Sequence, residues 1–118
     1  MNERGVAEST QWALLIPALM LVVLGTIQAG VWLHGRTVAS NAASAVAEQV
    51  AWGRASDGEA AAMGRRIATG GGLQGPEVHI VRQSGLVRVQ VTGRAPLIFD
   101  LGLGAVTEHS VMVTEERP

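Results

Sequence analysis

The 118-residue chain has no cysteine, no lysine and no tyrosine. Without cysteine there is no disulfide, no thiolate metal site and no cysteine nucleophile. All nine basic residues are arginines scattered among ten acids, for a formal net charge of −1. That leaves no basic block of the kind nucleic acid binding requires, so nucleic acid is set aside as a partner. Aromatic residues are 3% of the chain, three Trp and one Phe. The hydrophobic fraction therefore comes from small aliphatic residues, and any globular core is expected to be thin. The length sets one small domain as the upper bound.

What the sequence has in abundance is a run without charge. Between Glu8 and Arg36 the sole titratable residue is His34. Trp12 to Leu33 reads WALLIPALMLVVLGTIQAGVWL, which as an α-helix extends roughly 33 Å and matches a bilayer core. The helix would be apolar on every face, and the rest of the chain is too short to wrap it, so a membrane span is expected. Trp12 and Trp32 lie about 30 Å apart on such a helix, placing one indole at each headgroup layer as interface anchors. A cleaved secretory signal is the alternative, since Ala43-Ser44-Ala45 and Ala45-Val46-Ala47 resemble signal-peptidase sites. Against it, the apolar run exceeds a usual signal core and its N-terminal flank is not positive. The flanking charges barely set an orientation. The economical arrangement is a short cytoplasmic tail with the larger C-terminal part outside.

Within the span, Pro17 lacks an amide donor and predicts a bend. Gly25 and Ala29 form a small-xxx-small pair with Gly30 beside them, and Gln28 carries an amide that seeks a partner in lipid. Together they predict packing against another helix.

Beyond Leu33, Val38, Ala42, Ala45, Gln49 and Trp52 recur four and three apart, so a helix is expected to continue to about Gly53, with Gly35 its weak point. Ser56 and Glu59 offer a capping box for a second helix, which runs to about Thr69 and stops at Gly70-Gly71-Gly72. That glycine run precedes no helix and lacks a Lys-Ser/Thr, so it is not read as a phosphate cradle. From Glu77 the period becomes two. Val78 and Ile80, then Val87, Val89 and Val91, mark two strands joined by a hairpin at Gln83-Ser84-Gly85, and Val106 to Thr114 reads as a third. The expected fold is α+β: a tail (1–11), a transmembrane helix (12–33), a helical region (34–69) that is amphipathic at first, and a small antiparallel β region (70–118). Ala95 to Gly104 is an apolar loop bearing Leu97, Ile98, Phe99, Leu101 and Leu103. It either closes over the sheet as core or is a contact surface for a neighbouring subunit or the membrane face.

Candidate chemistry is sparse. His79 and His109 would approach if the first and third strands paired, but two imidazoles without a carboxylate ligand pattern make a poor metal site. Ser56, Ser84 and Ser110 lack a recognisable base. No enzyme activity, metal or cofactor is expected.

The stretch Arg4-Gly5-Val6-Ala7-Glu8-Ser9-Thr10-Gln11-Trp12-Ala13-Leu14-Leu15-Ile16-Pro17 resembles the start of TadE-like proteins, pseudopilins or minor pilins of the tight-adherence (type IVc) pilus system. The apolar helix with an early proline, its Ala/Asn-rich continuation and the terminal strands follow the family's order, so the resemblance implies a pilin-like architecture. It also implies insertion with the N-terminus in the cytoplasm and the C-terminal domain outside a bacterial cytoplasmic membrane or on a pilus. Cleavage by a prepilin peptidase would fall after Gly5, making Val6 the new N-terminus. The long helix would pack against other pilins or pilus-assembly subunits, through the region that contains Glu8, Gln11, Pro17, Gly25, Gln28, Ala29 and Gly30. Processed members place a glutamate five residues after the glycine, where this chain has Thr10. Aligned on Pro17, that glutamate falls on Gln11, and Glu8 is the nearby acid. The competing function is a membrane-anchored extracytoplasmic binding module with the helix as anchor alone.

Overall fold

The computed structural model describes residues 3–97 and 102–114, with side chains from residue 7 onward. The charge-free run and the alanine-rich stretch after it form one α-helix, α1 (Glu3–Ala51), which continues through Pro17 without interruption. Gly35 is not a break. A Cβ there would lie 3.3 Å from both the Ala95 Cβ and a Leu73 methyl, so the missing side chain serves close approach rather than flexibility.

By its packing the chain divides into two units, residues 1–30 and 31–118. In the first, every side chain described from Ala7 to Gly30 is exposed except Leu24 and Gln28, which are half-buried. In the second, α1 carries a buried stripe of Val38, Ala39, Ala42, Ala43, Val46, Ala47, Val50 and Ala51. Pairs recurring at helical period put that stripe on one face. The stripe is offset from the expected one. Ala45 and Gln49 are half-buried and Trp52 is 58% exposed, because the helix ends one residue before it.

Helix α2 (Asp57–Gly70) starts where the Ser56 hydroxyl accepts from the Glu59 amide at 3.2 Å. This is one half of a capping box, and among the described residues the Glu59 carboxylate makes no return bond. Both helices end alike. After α1, Arg54 N–H donates to Gln49 O and Gly53 N–H to Val50 O, with Gly53 at φ +67°. After α2, Leu73 donates to Ala68 and Gly72 to Thr69, with Gly72 at φ +98°. These are Schellman ends, whose left-handed residue glycine adopts without a Cβ clash. The second glycine of the 70–72 run caps, and the third turns.

Three antiparallel strands follow: β1 (Gln74–Gln83), β2 (Leu86–Arg94) and β3 (Ala105–Val113), in the order β1-β2-β3. β1 begins three residues earlier than the period-two pattern indicates, because a register irregularity between Gln74 and Glu77 accommodates Gly75 and Pro76. Proline is tolerated there because β1 is an edge strand. Ser84 (φ +33°) and Gly85 (φ +80°) form the two-residue turn with both torsions positive that suits a right-twisted hairpin. Since β2 lies between β1 and β3, the first and third strands do not pair. His79 and His109 each face Gln90 across the sheet rather than each other.

The inner sheet face supplies Val87, Val89, Val91 and Val106, all essentially fully buried, to a core shared with the alanine stripe of α1. Burying each such valine is worth about 1.5–3 kcal/mol. The core is thin, as the composition indicates: among the described residues its buried apolar side chains are alanine, valine and Leu73. The fold class is α+β, a long apolar N-terminal helix, a short second helix and a three-stranded antiparallel sheet.

Candidate functional site

The informative surfaces among the described residues are the exposed length of α1 and the groups where its polar half meets β3. Residues 7–30 of α1 present two distinct faces. Ile16, Leu19, Met20, Val23 and Leu24 line a shallow, almost wholly apolar groove. Gly25 and Ala29 stand on roughly the opposite side, since each residue advances about 100° around a helix. A Cβ on Gly25 or on Gly30 would meet nothing within 4 Å. Gly30 lies about 140° round from Gly25 by the same geometry, so it does not join the Gly25–Ala29 face. Gln28 is half-buried and has an interaction partner. Glu8 and Gln11 lie exposed on the first turns, and Trp12 is 59% exposed. Gly5 and Val6 fall within the bounds of α1, but their side chains lie outside the description.

Trp32 differs from Trp12. Its indole Nε1–H donates to the Ala105 carbonyl of β3 at 3.4 Å, and the Arg36 guanidinium sits over its ring, 5.1 Å from the centroid. Four residues apart on α1, the two side chains share a face. Arg36 Nε in turn donates to Glu108 Oε1 of β3 at 2.8 Å. A three-part clasp of indole, guanidinium and carboxylate thus joins the first turns after the apolar run to the edge strand. Alongside it lies a cleft of about 320 Å³ lined by Leu33, Arg36, Thr37, Ser40, Asn41 and Glu108.

The loop after β2 is closed at its base by Ala95 N–H donating to Gly104 O at 2.8 Å. Leu97 is half-buried against the core and Leu103 is 72% exposed. Ile98, Phe99 and Leu101 lie outside the described residues. The outer sheet face carries Glu77, His79, Arg88 and Gln90 beside exposed Val81, Leu86, Val111 and Val113. Among the described residues no group of three or more His, Asp or Glu gathers. Asp57, at the start of α2, accepts from Arg82 at the end of β1, and that hydrogen bond holds its carboxyl below the usual aspartate range.

The clasp is what sequence reasoning missed. The i, i+4 spacing of Trp32 and Arg36 was a usable signal. Glu108, 72 residues away, carried none until the register of β3 was known. The stacked pair of Trp52 and Arg54, 4.5 Å from guanidinium to ring, was also missed.

Comparison with known proteins bears out the resemblance to the TadE-like family, though not over Arg4-Gly5-Val6. Residues 7–48 match the family model described as TadE-like protein. That match covers α1 from the start of its described side chains almost to its end. No curated protein and no solved structure gives a significant match.

Proposed function

We propose that this TadE-like chain is a structural, single-pass membrane component of a Tad-type pilus or related secretion apparatus, a minor pilin or pseudopilin that assembles through α1. The family match points to a pilus-associated protein, and the long apolar helix fits a membrane anchor. The observation that carries the reading is that the family match coincides with a helix whose described side chains from Ala7 to Gly30 are exposed but for half-buried Leu24 and Gln28. Such a surface needs lipid, another helix, or each in turn. In this reading the tail (1–11) is cytoplasmic, residues 12–33 cross a bacterial cytoplasmic membrane, and the helical and β regions (34–69 and 70–118) lie outside it or on the pilus. The Gly25–Ala29 face takes a neighbouring pilin helix. A prepilin peptidase cuts after Gly5. Gln11 then supplies a neutral hydrogen-bonding group where processed relatives carry a glutamate, so subunit docking by charge falls to Glu8 or is absent.

Intact mass and N-terminal sequencing of the protein from its native membrane test the processing. A start at Val6 supports a pseudopilin, and a start at Met1 a permanent anchor. A start between Ser44 and Glu48 would mean a discarded signal and would sink the pilus reading. The cysteine-free background allows the second test. Single Gly25→Cys or Ala29→Cys chains should crosslink to another pilus subunit in cells, and Leu19→Cys, on the other face, should do so several-fold less. If all three crosslink only to lipid-exposed probes, the helix is an anchor alone and the binding-module reading takes over.

A further inference from the structure

We infer that the cleft between α1 and β3 binds a headgroup of the phosphoethanolamine type, a phosphate ester bearing a primary ammonium. The inference rests on reading Trp12 to Leu33 as the membrane span, and is independent of the pilus assignment. Leu33, the last residue of that run, is exposed and lines one end of the cleft. Arg36 and Thr37 follow one turn on, and Ser40 and Asn41 one turn further. Along the helix the lining therefore changes from apolar to polar within about 5.4 Å, as a lipid does between acyl chain and headgroup.

The polar end offers charge of both signs, each partly unused. Glu108 engages Arg36 at Nε alone, so the two terminal guanidinium nitrogens have no partner among the described residues. The second carboxylate oxygen of Glu108 is likewise unpartnered there, and its side chain is 22% exposed. The Trp32 ring beneath Arg36 fixes the plane of the fork. A planar pair of N–H donors matches a phosphate, and a carboxylate beside it matches an ammonium two carbons away from that phosphate. Ser40 and Asn41 add a hydroxyl and an amide that are free among the described residues. A headgroup with phosphate alone meets the Glu108 charge. A quaternary ammonium cannot donate a hydrogen bond to it.

Native mass spectrometry of the full chain in detergent micelles tests this, with phosphatidylethanolamine, phosphatidylglycerol and phosphatidylcholine offered at equal concentration. Phosphatidylethanolamine is expected to be retained about fivefold over the other two. Arg36→Lys keeps the charge but removes the fork, and should abolish that preference while the chain still unfolds cooperatively. Equal retention of phosphatidylglycerol or phosphatidylcholine overturns the inference, as does a preference that survives both Arg36→Lys and Glu108→Gln. Soluble O-phosphoethanolamine separates the sources. Displacement of the lipid supports the site with a soluble phosphoamine as its ligand, and retention of the lipid supports it with the lipid as ligand. A chain that carbonate washing releases from membranes sinks the span reading itself, whereas lost selectivity in a membrane-retained chain sinks the cleft alone.

Discussion

Ser84 is the one non-glycine residue, among those described, held in the left-handed region. With Gly85 it forms the β1–β2 turn, where asparagine and glycine are the favoured residues because they tolerate positive φ. Ser84→Asn should therefore raise stability by about 0.5 kcal/mol, and Gly85→Ala should lower it by about 1 kcal/mol, both read from denaturant midpoints. A second residue-scale effect concerns Asp57. Its folded pKa lies below the ordinary aspartate value of 3.8, first through the Arg82 hydrogen bond. A depressed folded pKa means the pair stabilises the fold above that ordinary value, and the contribution disappears as pH falls through the folded one. Both side chains are about half exposed, so the contribution is below about 1 kcal/mol. Arg82→Gln should return the Asp57 titration to the usual range by carboxyl NMR. A titration unmoved by the substitution would refute the assignment of cause.

Among elements, the contact of α2 with α1 depends on a glycine that looks like a fault in the sequence. A Cβ on Gly64 would sit 2.5 Å from a Val46 methyl and 3.1 Å from one of Val78. Gly64→Ala gains about 1 kcal/mol of helix propensity in isolation, but overpacking costs about 1–3 kcal/mol. The net should be destabilising, and Val46→Ala should recover part of the loss in a double-mutant cycle. Additive effects of the two substitutions would refute the contact. This shows why the fold was only partly legible. The continuation of α1 beyond the apolar run could be read because Val38, Ala42, Ala45, Gln49 and Trp52 recur four and three apart, whereas its start at Glu3, within the expected tail, could not. The Ser56 cap and the Ser84-Gly85 turn are local signals and needed no tertiary knowledge. Gly35 reads as a weak point, and Gly64 carries no signal at all, since a glycine chosen for close approach has the same letter as one chosen for flexibility. The offset of the α1 stripe was hidden because alanine fits either face, leaving Trp52 to mislead. The candidate surfaces divide likewise: the apolar helix was visible from composition, while the Arg36–Glu108 contact required the register of β3.

For the molecule as a whole, every fully buried apolar residue described belongs to residues 31–114. Removal of residues 1–30 should thus leave a part that stays in water without detergent and unfolds cooperatively, as followed by circular dichroism. Aggregation, or a broad non-cooperative melt, would show that the first unit is needed for the second to fold. The interior of that part has a further property. Apart from Leu73, its buried hydrophobic residues, among those described, are alanines and valines, side chains with little or no rotamer freedom to lose on folding. Alanine's side chain is itself a methyl group, and valine carries two on its Cβ. Isotope labelling of just these two residue types would therefore illuminate nearly the whole interior through methyl resonances. In a micelle large enough to broaden the backbone amides beyond detection, the core of this protein would remain readable atom by atom.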